Sequence, residues 1–133
     1  MAADKTYYEL HLEKISASYK LPEYQYIQLR QSKAFMTKYL GDKIALSQLA
    51  VAACISKFHY IRLFQRVYGV TPRQYLKDLR ISKAKELIKT GTPVTRVCIE
   101  VGYDSLPSFS SAFKKGTGLS PKAYYKLYKS NLQ

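Results

Sequence analysis

A duplication constrains the fold of this chain of 133 residues more than any other feature of its sequence. Four landmark residues recur 49 positions later, and the pairs are Phe64 and Phe113, Gly69 and Gly118, Pro72 and Pro121, and Tyr75 and Tyr124. Upstream of these the spacing falls to 48, with Leu46, Leu49 and Ala53 matched by Val94, Val97 and Val101. The second copy therefore has one extra residue in its connecting turn. Each copy predicts a helix, a tight turn and a second helix, so one unit occurs twice.

A threonine or serine followed by proline marks three predicted helix starts, at Thr71-Pro72, Thr92-Pro93 and Ser120-Pro121. The hydroxyl can cap free amides, and proline lacks the amide hydrogen that would have no partner in the first turn. The segment from Pro72 to about Lys89 has apolar residues at helical spacing and no internal glycine or proline, which predicts one long helix linking the two units. A further helix is predicted from about Leu29 to Leu40.

Glycines mark the predicted helix ends. Gly69 and Gly118 lie where a helix must stop, and Gly102 lies in the turn of the second unit. Glycine is expected at these places because it adopts the left-handed conformation without a steric penalty. The first unit has Cys54 at the position of Gly102, which we expect to cost about 1 kcal/mol if φ is positive there.

The predicted fold class is all-α, with two helix-turn-helix subdomains joined by a long linker helix. The expected divisions are an N-terminal extension (1–28), the first subdomain (29–71), the linker helix (72–89) and the second subdomain (90–133). With 47% hydrophobic residues, 6 Gly and 5 Pro, the chain is too apolar for disorder and too poor in turn residues for a many-stranded sandwich.

The sequence contains no membrane, disulfide or metal signature. No apolar run approaches the roughly 20 residues that span a bilayer, and the first residues lack the apolar stretch of a signal peptide, so we expect a soluble cytoplasmic protein. Cys54 and Cys98 are 44 positions apart without a second ligand nearby, and we expect both to be small core residues.

The charge distribution indicates a polyanionic partner. Lys and Arg number 22 against 9 Asp and Glu, a formal net charge of +13. Residues 1–28 carry a net charge of −1, so the basic excess lies entirely in residues 29–133, spread through predicted helices. Such a folded basic surface is typical of nucleic-acid binding. A solvated surface, an acidic partner or a membrane surface is the alternative explanation.

The helix after Ser56 carries two different stripes of side chains. Residues at i, i+3, i+4 and i+7 form a stripe that we assign to the core, namely Tyr60, Leu63, Phe64 and Val67. A second stripe lies roughly 160° around the helix and contains Phe58, Ile61, Arg62 and Gln65. Arg suits guanine, Gln suits adenine and apolar groups contact the thymine methyl, so we predict that this stripe reads DNA bases. Lys57 and Arg66 flank it as predicted phosphate contacts. The alternative is that Phe58 and Ile61 pack against a neighbouring element.

The corresponding helix of the second unit carries shorter outward side chains. The same spacing assigns Phe109, Ala112, Phe113 and Gly116 to the core and leaves Pro107, Ser110, Ser111 and Lys114 outside. Serine lacks the bidentate geometry that discriminates base pairs by about 1 to 3 kcal/mol. We therefore expect the first unit to supply most sequence discrimination. The second unit would bind phosphates through Lys114 and Lys115, with Leu106 or Pro107 touching thymine methyls, unless its helix does not enter the groove at all.

These motifs resemble the AraC/XylS family of bacterial transcription regulators over residues 30–128. The strings GYDSLPSFSSAFKK (102–115) and TGLSPKAY (117–124) are similar to its signature. In the first unit and linker the matching residues are Ser56, Arg62, Leu63, Phe64, Gly69, Pro72, Tyr75, Leu76, Arg80 and Ala84. The resemblance implies seven helices and a recognition helix in each of two successive major grooves.

The resemblance also implies site residues. The base-reading positions of the family fall on Phe58, Ile61, Arg62, Gln65, Leu106, Pro107, Ser110 and Ser111. Many members carry Arg where Ser111 stands and a polar residue where Leu106 stands. Most members add a sensory domain, and residues 1–28 are too few to enclose a small-molecule pocket. The chain therefore resembles the small stand-alone members or a DNA-binding fragment of a larger ligand-responsive regulator.

We therefore expect a sequence-specific regulator that binds double-stranded DNA as a monomer and acts as an activator, with RNA polymerase as a further partner. A nonspecific architectural DNA-binding protein is the alternative. The sequence shows no catalytic, metal or cofactor constellation, so an enzyme is not expected. The N-terminal apolar residues Tyr7, Tyr8, Leu10, Leu12 and Ile15 are predicted to form a short helix over the first unit rather than a dimerisation arm.

Overall fold

The computed structural model describes residues 21–131, with side chains to residue 129, and this range contains seven α-helices. They are α1 (Glu23–Lys38), α2 (Leu46–Ala52), α3 (Lys57–Tyr68), α4 (Pro72–Lys89), α5 (Val94–Glu100), α6 (Leu106–Thr117) and α7 (Pro121–Asn131). The predicted all-α fold is confirmed. None of the described helices is long and apolar enough to cross a membrane.

Two of the three predicted proline starts are correct. Helices α4 and α7 begin at Pro72 and Pro121, where Thr71 Oγ1 accepts a hydrogen bond from Gln74 N (3.2 Å) and Ser120 Oγ accepts one from Ala123 N (3.1 Å). The third start is displaced by one residue. Pro93 keeps an extended ψ of 143° and itself occupies the N-cap position, so α5 begins at Val94.

Helix α1 begins earlier than predicted. The expected range was Leu29 to Leu40, whereas the helix runs from Glu23 to Lys38. No glycine or proline interrupts these residues, and Gln25 N donates to Pro22 O (3.0 Å) at their start. Residues 23–28 thus belong to α1 rather than to an extension. The predicted N-terminal cover (Tyr7 to Ile15) lies outside the described residues.

The chain divides into two compact units, and the division differs from the predicted one. Among the described residues, 21–38 and 44–75 form the first unit, while 39–43 group with 76–131. Segment 39–43 was expected in the first subdomain. It belongs to the second unit because the Arg80 guanidinium donates to Leu40 O (3.2 Å) and Asp42 O (2.8 Å).

The core of the first unit is built on the predicted stripe of α3. Tyr60, Leu63, Phe64 and Val67 are all buried. The Tyr60 hydroxyl donates to Ser32 Oγ (2.9 Å), and Ser32 Oγ donates to Leu29 O (2.7 Å), which satisfies both buried hydroxyls. Burial raises the pKa of Tyr60 to about 12 despite this hydrogen bond.

The second unit repeats this core on α6. The Phe109 and Phe113 rings are buried 5.7 Å apart, and Tyr124 of α7 meets Phe113 edge-on at 5.2 Å. Two predicted core positions on α6 differ: Ala112 is half-buried and Gly116 is exposed. Gly116 has no side chain to bury, but a Cβ there would lie 3.3 Å from Ile81 Cγ2, so this position still faces α4.

The two turns confirm the predicted difference of one residue. Residues 53–56 connect α2 to α3, and residues 101–105 connect α5 to α6. Cys54 has φ 58° and Gly102 has φ 89°, so both positions are left-handed. The prediction that both cysteines are core residues is wrong for Cys54, because this turn directs its side chain into solvent; Cys98 is buried as expected.

Candidate nucleic-acid interface

Helix α3 presents the predicted base-reading residues on its solvent side. Phe58 is 75% exposed, Arg62 and Gln65 are exposed, and Ile61 is half-buried at the edge of the stripe. The Phe58 ring lies on the same side of α3 as the exposed Arg62 and Gln65, so an aromatic group and two polar groups face solvent together. The alternative, in which Phe58 packs against a neighbouring element, is not observed among the described residues.

The buried side of α3 sets the rotation of this stripe. Phe64 packs between the rings of Tyr60 (5.7 Å), Tyr68 (4.7 Å) and Tyr75 (5.6 Å). Gly69 ends the helix with φ 79° and donates its N–H to Gln65 O (2.8 Å). Because both the buried rings and the helix end are fixed, the outward residues have one orientation relative to the first unit.

The outward side of the first unit is basic without acidic residues nearby in sequence. Lys57, Arg62 and Arg66 of α3 are exposed, as is His59. Residues 43–77 contain no Asp or Glu, so no carboxylate from α2 or α3 neutralises these groups. Such a surface attracts the phosphate backbone of nucleic acid, and Lys57 and Arg66 flank the predicted base-reading stripe.

The predicted contact residues of helix α6 differ in their exposure to solvent. Leu106 is 41% exposed, Ser110 is half-buried, and the remaining predicted contacts are exposed, namely Pro107, Ser111, Lys114 and Lys115. At the start of α6, Ser105 Oγ accepts a hydrogen bond from Ser108 N (3.3 Å) and donates one to Ser108 Oγ (2.9 Å). Gly118 ends the helix with φ 87°.

Two carboxylates of the second unit lie next to α6 in sequence, and each forms an ion pair with a basic side chain. Glu100 Oε1 lies 2.9 Å from Arg96 Nε, and Asp104 Oδ2 lies 3.5 Å from Lys43 Nζ. These pairs are exposed, so they contribute little to stability. The two carboxylates offset basic charge around the start of α6. The start of α3 in the first unit has basic groups and no carboxylate nearby in sequence.

A cleft that the sequence did not predict lies beside α6. Its volume is about 560 Å³, and it is lined by Lys77, Tyr103, Pro107, Ser108, Ser111, Ala112 and Lys115. Pro107, Ser111 and Lys115 were predicted contacts, but Lys77 of α4 and Tyr103 of the turn were not. No short-range pattern relates Lys77 to α6, so only the fold reveals their proximity.

The described residues contain no group of three or more His, Cys, Asp or Glu side chains that could hold a metal ion. No catalytic constellation was predicted. The site is therefore described by its exposed basic, aromatic and hydroxyl groups alone.

Several known proteins are similar to this chain in sequence. A family described as a helix-turn-helix domain matches residues 49–126. The MmsAB operon regulatory protein of Pseudomonas aeruginosa is 38% identical over 92 residues, which cover 68% of this chain and 30% of that protein. The HTH-type transcriptional activator AarP of Providencia stuartii is 29% identical over 111 residues, covering 83% of this chain and 82% of AarP.

A solved structure is also similar. The DNA-binding domain of AdpA, a global transcriptional factor crystallised with a target DNA, superposes with a TM-score of 0.74 at 27% identity, covering 78% of this chain and 95% of that domain. The chain spans 30% and 37% of the lengths of two curated relatives, the MmsAB regulator and the regulator LumQ of Photobacterium leiognathi.

Proposed function

The chain belongs to the AraC/XylS family of helix-turn-helix transcription regulators, and on that premise we propose that it regulates transcription by binding specific sequences in double-stranded DNA. One observation carries the proposal. Helix α3 buries Tyr60 and Phe64 while it exposes Phe58, Arg62 and Gln65 on a side without carboxylates. A helix that only completes a core needs no second stripe of this chemistry.

The first unit supplies base discrimination in this proposal. Arg62 would donate to guanine and Gln65 would pair with adenine, while Phe58 and Ile61 would contact thymine methyls. Lys57 and Arg66 would contact the flanking phosphates and position the helix. The proposal is supported by the AdpA complex, in which a domain of the same fold is bound to DNA.

The second unit would extend the contact along the duplex. Its proposed contacts are Leu106, Pro107, Ser110, Ser111, Lys114 and Lys115. With one helix of each unit in the major groove, a monomer would cover an asymmetric site of on the order of 20 bp. The name of AarP supports activation, and we propose RNA polymerase as the protein partner and the cytoplasmic nucleoid as the location.

The experiment begins with selection of duplexes from a random pool by the full chain. Affinity for the selected duplex should exceed affinity for random DNA by about 10³ or more. With about 6 to 10 phosphate contacts, affinity should also fall by roughly 10³ to 10⁵ between 50 and 200 mM salt. A ratio near one would instead identify a nonspecific architectural protein, and binding that does not depend on salt would contradict both.

Arg62 tests the base contact directly. Arg62→Ala should weaken the selected complex by about 5- to 150-fold and leave binding to random DNA nearly unchanged. Arg62→Lys is the matched variant, because it keeps the charge and loses the bidentate fork; it should lose specificity in the same way. Lys83→Ala, on a part of α4 outside the proposed contacts, controls for loss of one charge. Equal losses on both DNAs would reassign Arg62 to a phosphate.

A further inference from the structure

The cleft beside α6 has a composition suited to one ligand group, and that group is an anion. Two lysines line it, Lys77 and Lys115, together with three residues that carry hydroxyls, Tyr103, Ser108 and Ser111. None of its lining residues carries a carboxylate. Ammonium groups and hydroxyl donors around an open cleft are the groups that proteins use to hold phosphate oxygens.

We propose that this cleft binds a backbone phosphate of DNA, so that Ser111 contacts phosphate rather than a base. The inference rests on the proposed function, because the phosphate belongs to the same duplex that α3 reads. It adds Lys77 and Tyr103 to the interface, and it assigns the second unit to holding the backbone.

The helical register places one row of α6 in this cleft. Ser108, Ser111, Ala112 and Lys115 fall at i, i+3, i+4 and i+7 and all line it. Three of these four side chains are short. A short side chain lets the sugar-phosphate backbone approach the helix closely, whereas a long base-reading side chain at position 111 would occupy the cleft.

The same row exists in the first unit with different chemistry. Residues 49 positions earlier are His59, Arg62, Leu63 and Arg66, and these four also line a common depression on α3. In the first unit the cationic groups come from α3 itself. In the second unit α6 keeps one cation in the row, Lys115, and α4 supplies the other, Lys77.

The hydroxyls of the cleft are in states that can donate. Ser108 Oγ accepts a hydrogen bond from Ser105 Oγ (2.9 Å), so its own hydrogen is available to donate. Tyr103 is half-buried with its ring 5.5 Å from Phe109. The Tyr103 phenol is protonated near neutral pH, and burial raises its pKa more than the nearby Arg80 lowers it. A protonated phenol donates to a phosphate oxygen, whereas a phenolate would repel it.

The acidic groups of this region do not line the cleft. Asp104 next to Tyr103 is paired with Lys43 at 3.5 Å. Asp78 follows Lys77 on α4, about 100° around the helix from it. The cleft therefore keeps a positive charge for its phosphate.

Neutral phosphates in the selected duplex test the inference. Methylphosphonate replaces one phosphate at a time along both strands, and the affinity of the full chain is measured for each duplex. One position under the second unit should weaken binding of the unaltered chain by about tenfold, the effect of losing a charge-assisted contact. Lys77→Ala and Lys115→Ala should each weaken binding to the unmodified duplex, and each should lose less further affinity than the unaltered chain does when that one phosphate is neutral.

Three further measurements complete the test. Lys77→Ala should reduce the slope of log affinity against log salt by about 1, equally on selected and random DNA. The matched control is Lys83→Ala, a lysine on another side of α4, and thermal melting should show that both variants fold. Base substitutions under the second unit should change affinity less than those under the first.

Several outcomes would overturn the inference. Lys77→Ala could match Lys83→Ala in affinity and slope, or every methylphosphonate position could weaken Lys77→Ala as much as it weakens the unaltered chain. If Arg62→Ala meanwhile loses specificity as expected, only the phosphate cleft is wrong. If the pool yields no selected duplex, the proposed function itself fails.

Discussion

Helices α3 and α6 occupy equivalent places in the two units and share their length, their glycine end and a buried phenylalanine. Each has 12 residues and ends at a left-handed glycine, Gly69 or Gly118. Phe64 and Phe113 are completely buried at equivalent positions. These features have therefore been retained after duplication, because each unit packs the same helices around its buried phenylalanine.

The outward sides of the two helices have diverged. Arg62 and Arg66 of α3 correspond to Ser111 and Lys115 of α6. In the proposed complex the long cationic side chains of α3 reach base edges and phosphates, while α6 lets the backbone approach. The contrast indicates that the repeated fold determines where a side chain lies, and that the residue at each outward position determines what it contacts.

The two buried phenylalanines at equivalent positions predict the largest effects on stability. Phe64→Ala and Phe113→Ala should each lower the free energy of unfolding by about 3–5 kcal/mol, since each removes a buried ring from an aromatic cluster. Denaturant unfolding of the full chain measures both. A much smaller loss for one variant would show that the duplicated positions are not energetically equivalent. Phe58→Ala, at an exposed ring of α3, is the matched control and should change stability little.

The inward residues were predictable from sequence for a physical reason. Tyr60, Leu63, Phe64 and Val67 recur at the period of a helix, and burial follows that period whatever the neighbouring elements are. The glycine at each helix end was equally predictable, since few other residues adopt positive φ. The DNA contacts of Arg62 and Gln65 stay a prediction, because exposure shows where a side chain points and not what binds it.

Features that depend on tertiary contacts were not predictable. Segment 39–43 joins the second unit through hydrogen bonds from Arg80, about 40 positions away in sequence. Lys77 lines the cleft because of how α4 packs near α6. Cys54 looked like a core residue by composition, yet the turn geometry at φ 58° exposes it. In each case the deciding partner is distant in sequence or the deciding variable is a backbone angle.

The equivalent turn positions Gly102 and Cys54 predict effects of opposite sign. Gly102→Ala should lower the free energy of unfolding by about 1–2 kcal/mol or more, because alanine is strained at φ 89°. Its Cβ would also meet Leu40 O at 3.0 Å. Cys54→Gly relieves strain but increases the freedom of the unfolded chain, so its net gain should stay below about 1 kcal/mol. Thermal or denaturant unfolding measures both, and a neutral Gly102→Ala would contradict the left-handed geometry.

The buried hydroxyl of Tyr60 distinguishes the first core from the second, where Phe109 occupies the equivalent position. Tyr60→Phe should lower the free energy of unfolding by about 1 kcal/mol, because it removes the hydrogen bond to Ser32 Oγ. The control is Tyr24→Phe, on an exposed side chain, which should have no effect.

The pH dependence gives a second measure of the same hydroxyl. The pKa of Tyr60 is about 12 in the folded chain and 10.0 without burial, so the unfolded state releases its proton first as the pH rises. The contribution of the Tyr60 hydroxyl to stability is therefore complete below about pH 10 and is lost progressively from there toward pH 12. Tyr60→Phe should make the decline of stability over this range shallower. An unchanged slope would show that the Tyr60 hydroxyl is not held protonated in the core.

The smallest expected effect separates the outward positions 62 and 111. Ser111→Ala removes one hydroxyl and no charge, so its loss in DNA affinity should correspond to a single neutral hydrogen bond, at or below about 1 kcal/mol. If Ser111 contacts phosphate, that loss is the same on selected and random duplexes, whereas the larger loss of Arg62→Ala is confined to the selected one. Affinities of both variants for both DNAs, measured at one salt concentration, decide the matter. Should Ser111→Ala lose more than Arg62→Ala on the selected duplex, the second unit would be the base reader and the assignment of the two helices would have to be exchanged.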